Sequence, residues 1–173
     1  LRGEVRGLKA TPATVIVTAE FPTPNRLGSD AVQVGIIEFT DYQCAYCKRH
    51  GQSTFKKIKK HYVNKNLLQY AVRDFPLAMH SAATDAAVVA SCAGEQGRYW
   101  QMHAQLFNAG RHLNDDFYQR SAKQLGLNVK QFSNFLQQKA MRQKINNDMA
   151  VAKNEGVTGT PFFLVGRIEG NKL

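Results

Sequence analysis

Hydrophobic positions along the chain change period in an order that lays out the elements. Residues 11–18 contain Val15-Ile16-Val17 and read as a short first strand. Phe21-Pro22-Thr23-Pro24-Asn25 reads as a loop from its prolines. Residues 32–39 are rich in β-branched side chains and read as a buried strand. From 44 to 62 the period becomes helical. Cys47, Gly51, Phe55, Ile58 and Tyr62 fall on one face and lysines take the opposite one. Residues 67–73 read as a third strand, ended by Asp74-Phe75-Pro76. From about 80 to 155 the pattern is helical throughout. It divides into 81–95, 98–108, a helix capped by Asn114, a helix capped by Asn128, and a last helix over 140–154. Gly159-Thr160-Pro161 then leads into Phe162-Phe163-Leu164-Val165, another strand expected to be buried.

Strand, helix and strand, then a block of helices, then a strand predicts an α/β domain interrupted by a helical insertion. Residues 1–76 and 157–173 form the α/β domain, and 77–156 form the insertion. Residues 168–173 suffice to begin one more strand but not a covering helix. One sheet face is therefore expected to be bare near the end of the chain, and the natural protein is expected to be longer.

Composition narrows the class. The 173 residues suit one domain, and 43% hydrophobic and 10% aromatic content suffices for an ordinary core. No apolar run approaches the roughly 18 residues of a membrane span. Leu1 is not a natural start; an export signal was either removed or lies outside the sequence. The net charge of +10 raises nucleic acid or an anionic membrane as partners. Much of it sits in Lys48, Arg49, Lys56, Lys57, Lys59, Lys60 and Lys65, which reads as a solvated helix face. No nucleic-acid motif accompanies it.

Three cysteines are too few for a disulfide-stapled scaffold. Two of them form Cys44-Ala45-Tyr46-Cys47, directly after a strand and at the start of a helix. That context makes the tetrapeptide a redox candidate. Cys44 sits where the helix dipole favours a thiolate, and Cys47 points inward. Rival readings are a structural disulfide and a metal site built on Cys44, Cys47 and His50. Structural zinc wants four ligands, and the second pair is missing: Cys92 stands alone and no histidine pair has ligand spacing. Cys92, in an Ala-rich helix, reads as a buried free thiol. Trp100, Phe107, Phe132 and Phe135 read as core, and His103 as a satisfied histidine. Glu38 lies in an apolar strand, where a carboxylate is costly unless paired or protonated. An edge position or an ion pair with lysine is the plain alternative.

Four blocks in order give a family resemblance. They are Glu38-Phe39-Thr40-Asp41-Tyr42-Gln43-Cys44-Ala45-Tyr46-Cys47; Arg73-Asp74-Phe75-Pro76-Leu77; Cys92-Ala93-Gly94-Glu95-Gln96-Gly97-Arg98-Tyr99-Trp100; and Gly156-Val157-Thr158-Gly159-Thr160-Pro161. Together they resemble the DsbA-like branch of the thioredoxin superfamily over about residues 27–166. The resemblance implies a thioredoxin fold with a helical domain between its third strand and the strand after Thr160-Pro161. It implies dithiol–disulfide exchange in which Cys44 attacks, Cys47 resolves, and Glu38 helps move the proton of Cys47. Thr160 and a cis Pro161, with Tyr46, shape the substrate groove. No organic cofactor or metal is required. The implied partners are cysteine-containing proteins and a redox partner that resets the dithiol, with no nucleic acid and no stable membrane insertion. A monomer in a bacterial periplasm is implied. The family's closing strand and helix are largely absent here. Some relatives carry a second cysteine near the position of Phe135, which would leave Cys92 without a partner. Direction of electron flow stays open: Tyr46 before Cys47 resembles disulfide isomerases, yet residues 1–30 are too few for their dimerisation domain. A redox-inert module that binds an extended peptide is the reading from another class.

Overall fold

The computed structural model describes residues 19–21, 25–110, 112–170 and 172–173. The expected strand at 11–18 lies outside the described residues, as do Pro22 and Pro24.

Four strands form one mixed sheet in the order β1-β3-β2-β4. The strands β1 (Arg26–Leu27), β2 (Val34–Thr40), β3 (Gln69–Asp74) and β4 (Phe162–Arg167) follow in chain order. The β2–β3 pair is parallel, which demands a crossover between them. That crossover is the motif helix: α1 (Ala45–Arg49), a π-helical segment (His50–Thr54) and α2 (Phe55–His61). The helices α3 (Ala83–Gly94), α4 (Tyr99–Ala109), α5 (Asp115–Gln124), α6 (Val129–Gln137) and α7 (Lys139–Asn154) then intervene before β4 returns antiparallel to β2. This is a thioredoxin-like α/β fold with a helical region between its third strand and β4.

The pleat of β2 divides its side chains between two cores. Ile37 and Phe39, fully buried, join Phe21, Ala71, Ala152 and Val157 on one face. On the other, Cys47, Phe55, Tyr70 and Val72 pack with Ala86, Val89, Met102, Leu106, Phe132 and Ile145 of the helical block. Each large apolar side chain sealed there contributes about 1.5–3 kcal/mol relative to exposure. The small residues of α3, among them Ala86, Ala87, Ala90 and Ala93, are all buried and let neighbouring helices approach closely. The caps predicted at Asn114 and Asn128 are made: each side chain accepts a backbone N–H three residues on, at 3.0 Å and 2.9 Å. A buried ion pair between Arg73 and Asp148 ties β3 to α7, and Asp148 Oδ2 also accepts the Asp74 N–H at 3.0 Å.

Two expectations change. Tyr62 is exposed rather than part of the inward face, because α2 ends at His61 and the following short 3₁₀ turn carries Val63 into the core instead. The strand after Pro161 is half-exposed rather than buried. Alternate residues Phe163 and Val165 face outward, 37% and 66% exposed, because the described elements cover that face of β4 only in part, with the His50 ring against Phe163.

Candidate active site

The tetrapeptide sits at the junction of β2 and α1. Asp41 shapes the approach: its carboxylate accepts the backbone N–H of Gln43 at 2.7 Å and of Leu77 at 2.8 Å, and stands 2.8 Å from His80 Nδ1. The Cys44 N–H donates to the Asp41 carbonyl at 3.1 Å. Cys44 has extended backbone angles and occupies the N-cap of α1. No side chain caps that helix, so its first-turn N–H groups lie open beside the cysteine. The Cys44 thiol donates to the Thr160 carbonyl at 3.3 Å, and the Thr160–Pro161 peptide bond is cis. The thiol is 6% exposed, less open than an attacking group at a helix tip suggests. It nevertheless lines a cleft of about 280 Å³ with Tyr42, Gln43, Ala45, Lys48, Phe107 and Gly110. A second cleft, of about 350 Å³, is lined by Tyr46, Arg49, His50, Ser53, Thr54 and Pro161. The Arg49 guanidinium lies over the exposed Tyr46 ring at 5.2 Å. Both cysteines are free thiols.

Cys47 is sealed beneath. Burial pushes its thiol up to about 12, against the weaker pull of the Thr160 and Thr40 hydroxyls and the Asp41 backbone, which favour the thiolate. The Thr160 hydroxyl has no other hydrogen-bond partner. Glu38 is not at a sheet edge, since β2 is flanked by β3 and β4, and among the described residues it pairs with no lysine. At 2% exposure its carboxyl is pushed up to about 7 by desolvation, partly offset by two hydroxyl donors. Tyr70 donates to Oε2 at 2.5 Å and Thr40 to Oε1 at 3.0 Å. Tyr70 in turn lies 2.9 Å from His50 Nε2, whose affinity for a proton is lowered by burial. Thr40 thus stands between the acid and the inner thiol. A carboxyl titrating near neutrality, one hydroxyl from a buried thiol, is suited to take up and return that thiol's proton.

The structure brings Cys44, Cys47, Glu38, Thr160, Pro161 and Tyr46 into one place. Sequence reasoning missed Thr40, Tyr70 and Asp41 as members of it and raised His50 only as a rival metal ligand. Thr40 carried a signal, since it shares a strand face with Glu38 two residues earlier. Tyr70 carried none, because only the β2–β3 register, which sets Ile36 against Tyr70, places it under Glu38. His103 is buried with its Nδ1 3.0 Å from the Tyr42 hydroxyl, and burial drops it to about 3, so it is a neutral core histidine. Cys92 is fully buried and pushed up to about 12 by burial, an unreactive thiol. Among the described residues no three His, Cys, Asp or Glu side chains are grouped to hold a metal ion.

Comparison with known proteins bears on the family and the fold. The family model described as Thioredoxin matches residues 20–171. A Na⁺/H⁺ antiporter NhaA of Herminiimonas arsenicoxydans is 30% identical over 146 residues, covering 84% of this chain and 22% of the antiporter. A Rickettsia conorii protein assigned as a protein-disulfide oxidoreductase is 27% identical over 171 residues, 91% of this chain and 60% of that protein. The crystal structure of Wolbachia pipientis alpha-DsbA1 superposes with a TM-score of 0.74 at 27% identity, covering 85% of this chain and 77% of that one. The chain therefore spans about a fifth of the antiporter and less than two thirds of the Rickettsia protein. No helix among the described residues is long and apolar enough to cross a membrane.

Proposed function

This chain belongs to the thioredoxin family, in its DsbA-like branch, and we propose that it catalyses dithiol–disulfide exchange on the cysteines of exported proteins. The observation that carries this reading is the asymmetry of the two thiols. Cys44 Sγ lies in the wall of a cleft against the Thr160 carbonyl, whereas Cys47 is sealed behind it beside Thr40 and Glu38. An incoming sulfur reaches Cys44 first. The mixed disulfide is then resolved by Cys47, whose proton passes to Glu38 through Thr40. The Thr160 backbone and Pro161, with Tyr46 across the second cleft, hold the substrate chain in an extended form by strand-like pairing.

The setting proposed is oxidative folding in a bacterial periplasm, with a separate redox partner resetting the dithiol. Two measurements test it. Cys47→Ser should accumulate mixed disulfides through Cys44 when mixed with an extract of reduced or oxidised exported proteins, and Cys44→Ser should accumulate none. Recovering no adduct from Cys47→Ser refutes the assigned order of attack. The reduction potential of the Cys44–Cys47 pair fixes direction: a value near about −120 mV supports donation of disulfides, and one near about −270 mV makes the protein a reductant instead.

A further inference from the structure

Glu38 is 2% exposed, yet each turnover of a Cys44–Cys47 pair must bring one proton to the buried acid and remove it again. We infer that Tyr70 and His50 form the outer half of a proton path joining the Glu38–Cys47 pair to the cleft at Pro161. The inference rests on the exchange reading above and adds two residues to it.

From the Thr40 hydroxyl, which bears on the Cys47 thiol, outward to His50 the path is continuous in hydrogen bonds. From the Cys47 thiol it runs through the Thr40 hydroxyl to Glu38 Oε1 at 3.0 Å, then from Oε2 to the Tyr70 hydroxyl at 2.5 Å and on to His50 Nε2 at 2.9 Å. His50 lies 3.7 Å from Glu38 directly, too far for a hydrogen bond, so the Tyr70 hydroxyl is the necessary link. Every member can both give and accept a proton. The outer end is where a path needs it. The His50 side chain is 10% exposed and lines the cleft that contains Tyr46, Arg49 and Pro161. The imidazole is held in place by the Phe163 ring at 4.7 Å. It belongs to the π-helical segment His50–Thr54, a widening of the kind that recurs at functional sites. Burial lowers the affinity of the imidazole for a proton, which favours its giving one up to the cleft. The titratable groups facing Glu38 are Cys47 from α1, His50 from the π segment and Tyr70 from β3, with Tyr42 and Asp74 farther off.

The steps balance. Cys47 sulfur attacks Cys44 Sγ, the new disulfide forms, and the bond from Cys44 to the substrate sulfur breaks. Two cysteines are oxidised and the substrate disulfide is reduced, its leaving thiolate taking a proton from water. The Cys47 proton passes by Thr40 to the Glu38 carboxylate. The proton arrives on Oε1; the neutral carboxyl turns over to present it to Tyr70 and releases it to the Tyr70 oxygen as the Tyr70 hydroxyl, turned from Glu38, gives its own to His50 Nε2. The imidazolium sheds its Nδ1 proton to the cleft. Disulfide donation runs the same path inward.

Stopped-flow reaction of the reduced protein with an aromatic disulfide separates the two halves. The first coloured thiolate reports attack by Cys44, and the second reports resolution by Cys47. His50→Ala and His50→Gln should lower the rate of the second phase relative to the first about tenfold, a modest share of what general acid–base groups supply. Added imidazole should restore the second phase in His50→Ala, where it has room, and not in His50→Gln. Tyr70→Phe should be slowed and remain unrestored. A second phase at its wild-type rate relative to the first in His50→Gln overturns the path, as does a slowed His50→Ala that imidazole leaves slow. If His50→Ala does not fold, His50→Gln decides alone. Loss of both phases in the unaltered protein would instead refute the exchange reading itself.

Discussion

Replacing Glu38 with glutamine removes one buried charge and leaves the shape of the side chain nearly unchanged. The carboxyl titrates near 7 in the fold against about 4.5 when solvated. At about 1.4 kcal/mol per pH unit, keeping it ionised inside costs about 3 kcal/mol once the pH exceeds 7. The sign follows from proton counts. Between 4.5 and 7 the folded chain holds a proton that the unfolded chain has lost, so stability falls as pH rises through that window. Below it the cost is absent. Glutamine offers one oxygen and one NH₂ to the hydroxyls of Tyr70 and Thr40, which now donate to the two carboxyl oxygens. The re-pairing loses about 1 kcal/mol at most. Glu38→Gln should therefore be about as stable as the parent at pH 4 and about 2–3 kcal/mol more stable at pH 8. Urea unfolding of both reduced proteins across that range measures it. Asp74, raised chiefly by burial, titrates in both proteins; the small part of its shift that comes from the Glu38 charge is lost in the variant and adds to the difference in the same direction. Parallel curves for the two proteins from pH 5 to pH 8 would refute the buried-acid reasoning. The same variant should slow resolution by Cys47, so it trades function for stability.

Other outcomes follow from the same structure. Asp148→Ala leaves the Arg73 guanidinium buried without its carboxylate and the Asp74 N–H without its acceptor. It should cost about 3–5 kcal/mol, seen as a drop of roughly 10 °C in Tm; a drop of a degree or two would mean that the pair contributes little. Gly35→Ala would place a Cβ 2.1 Å from the Phe21 ring, forcing that buried ring aside, with an expected loss of about 1–3 kcal/mol in urea titration. Equal stability would show that Phe21 yields freely. The clefts at Cys44 and at Pro161 are lined by Lys48 and Arg49 and, among the described residues, by no acidic one. An acidic model peptide disulfide should react several-fold faster than a basic one at low salt, with the gap closing near 1 M. Equal rates at low salt would remove the basic rim from substrate selection.

Much of the protein was legible without coordinates, and the reason is local. Periodicity and caps at Asn114 and Asn128 are properties of short segments, so the helices and the strands β2, β3 and β4 appeared in order, while the two-residue β1 at Arg26–Leu27 did not. The strand–Cys44-Ala45-Tyr46-Cys47–helix context exposed the chemistry because a thiol at a helix start depends on nearby residues alone. Glu38 announced itself as a polar residue in an apolar strand. What the sequence left open depended on pairing across distance. Whether Glu38 sits at an edge or in the centre is decided by β4 returning beside β2 after the helical block. Tyr70 joins the acid only through strand register, and His50 only because the π segment and β3 bring its ring to that hydroxyl. Thr160 meets Cys44 across 116 residues of chain. Local patterns determined the elements and the reacting thiols; the environment that sets where their protons go exists only after segments distant in sequence have closed over one another and excluded water.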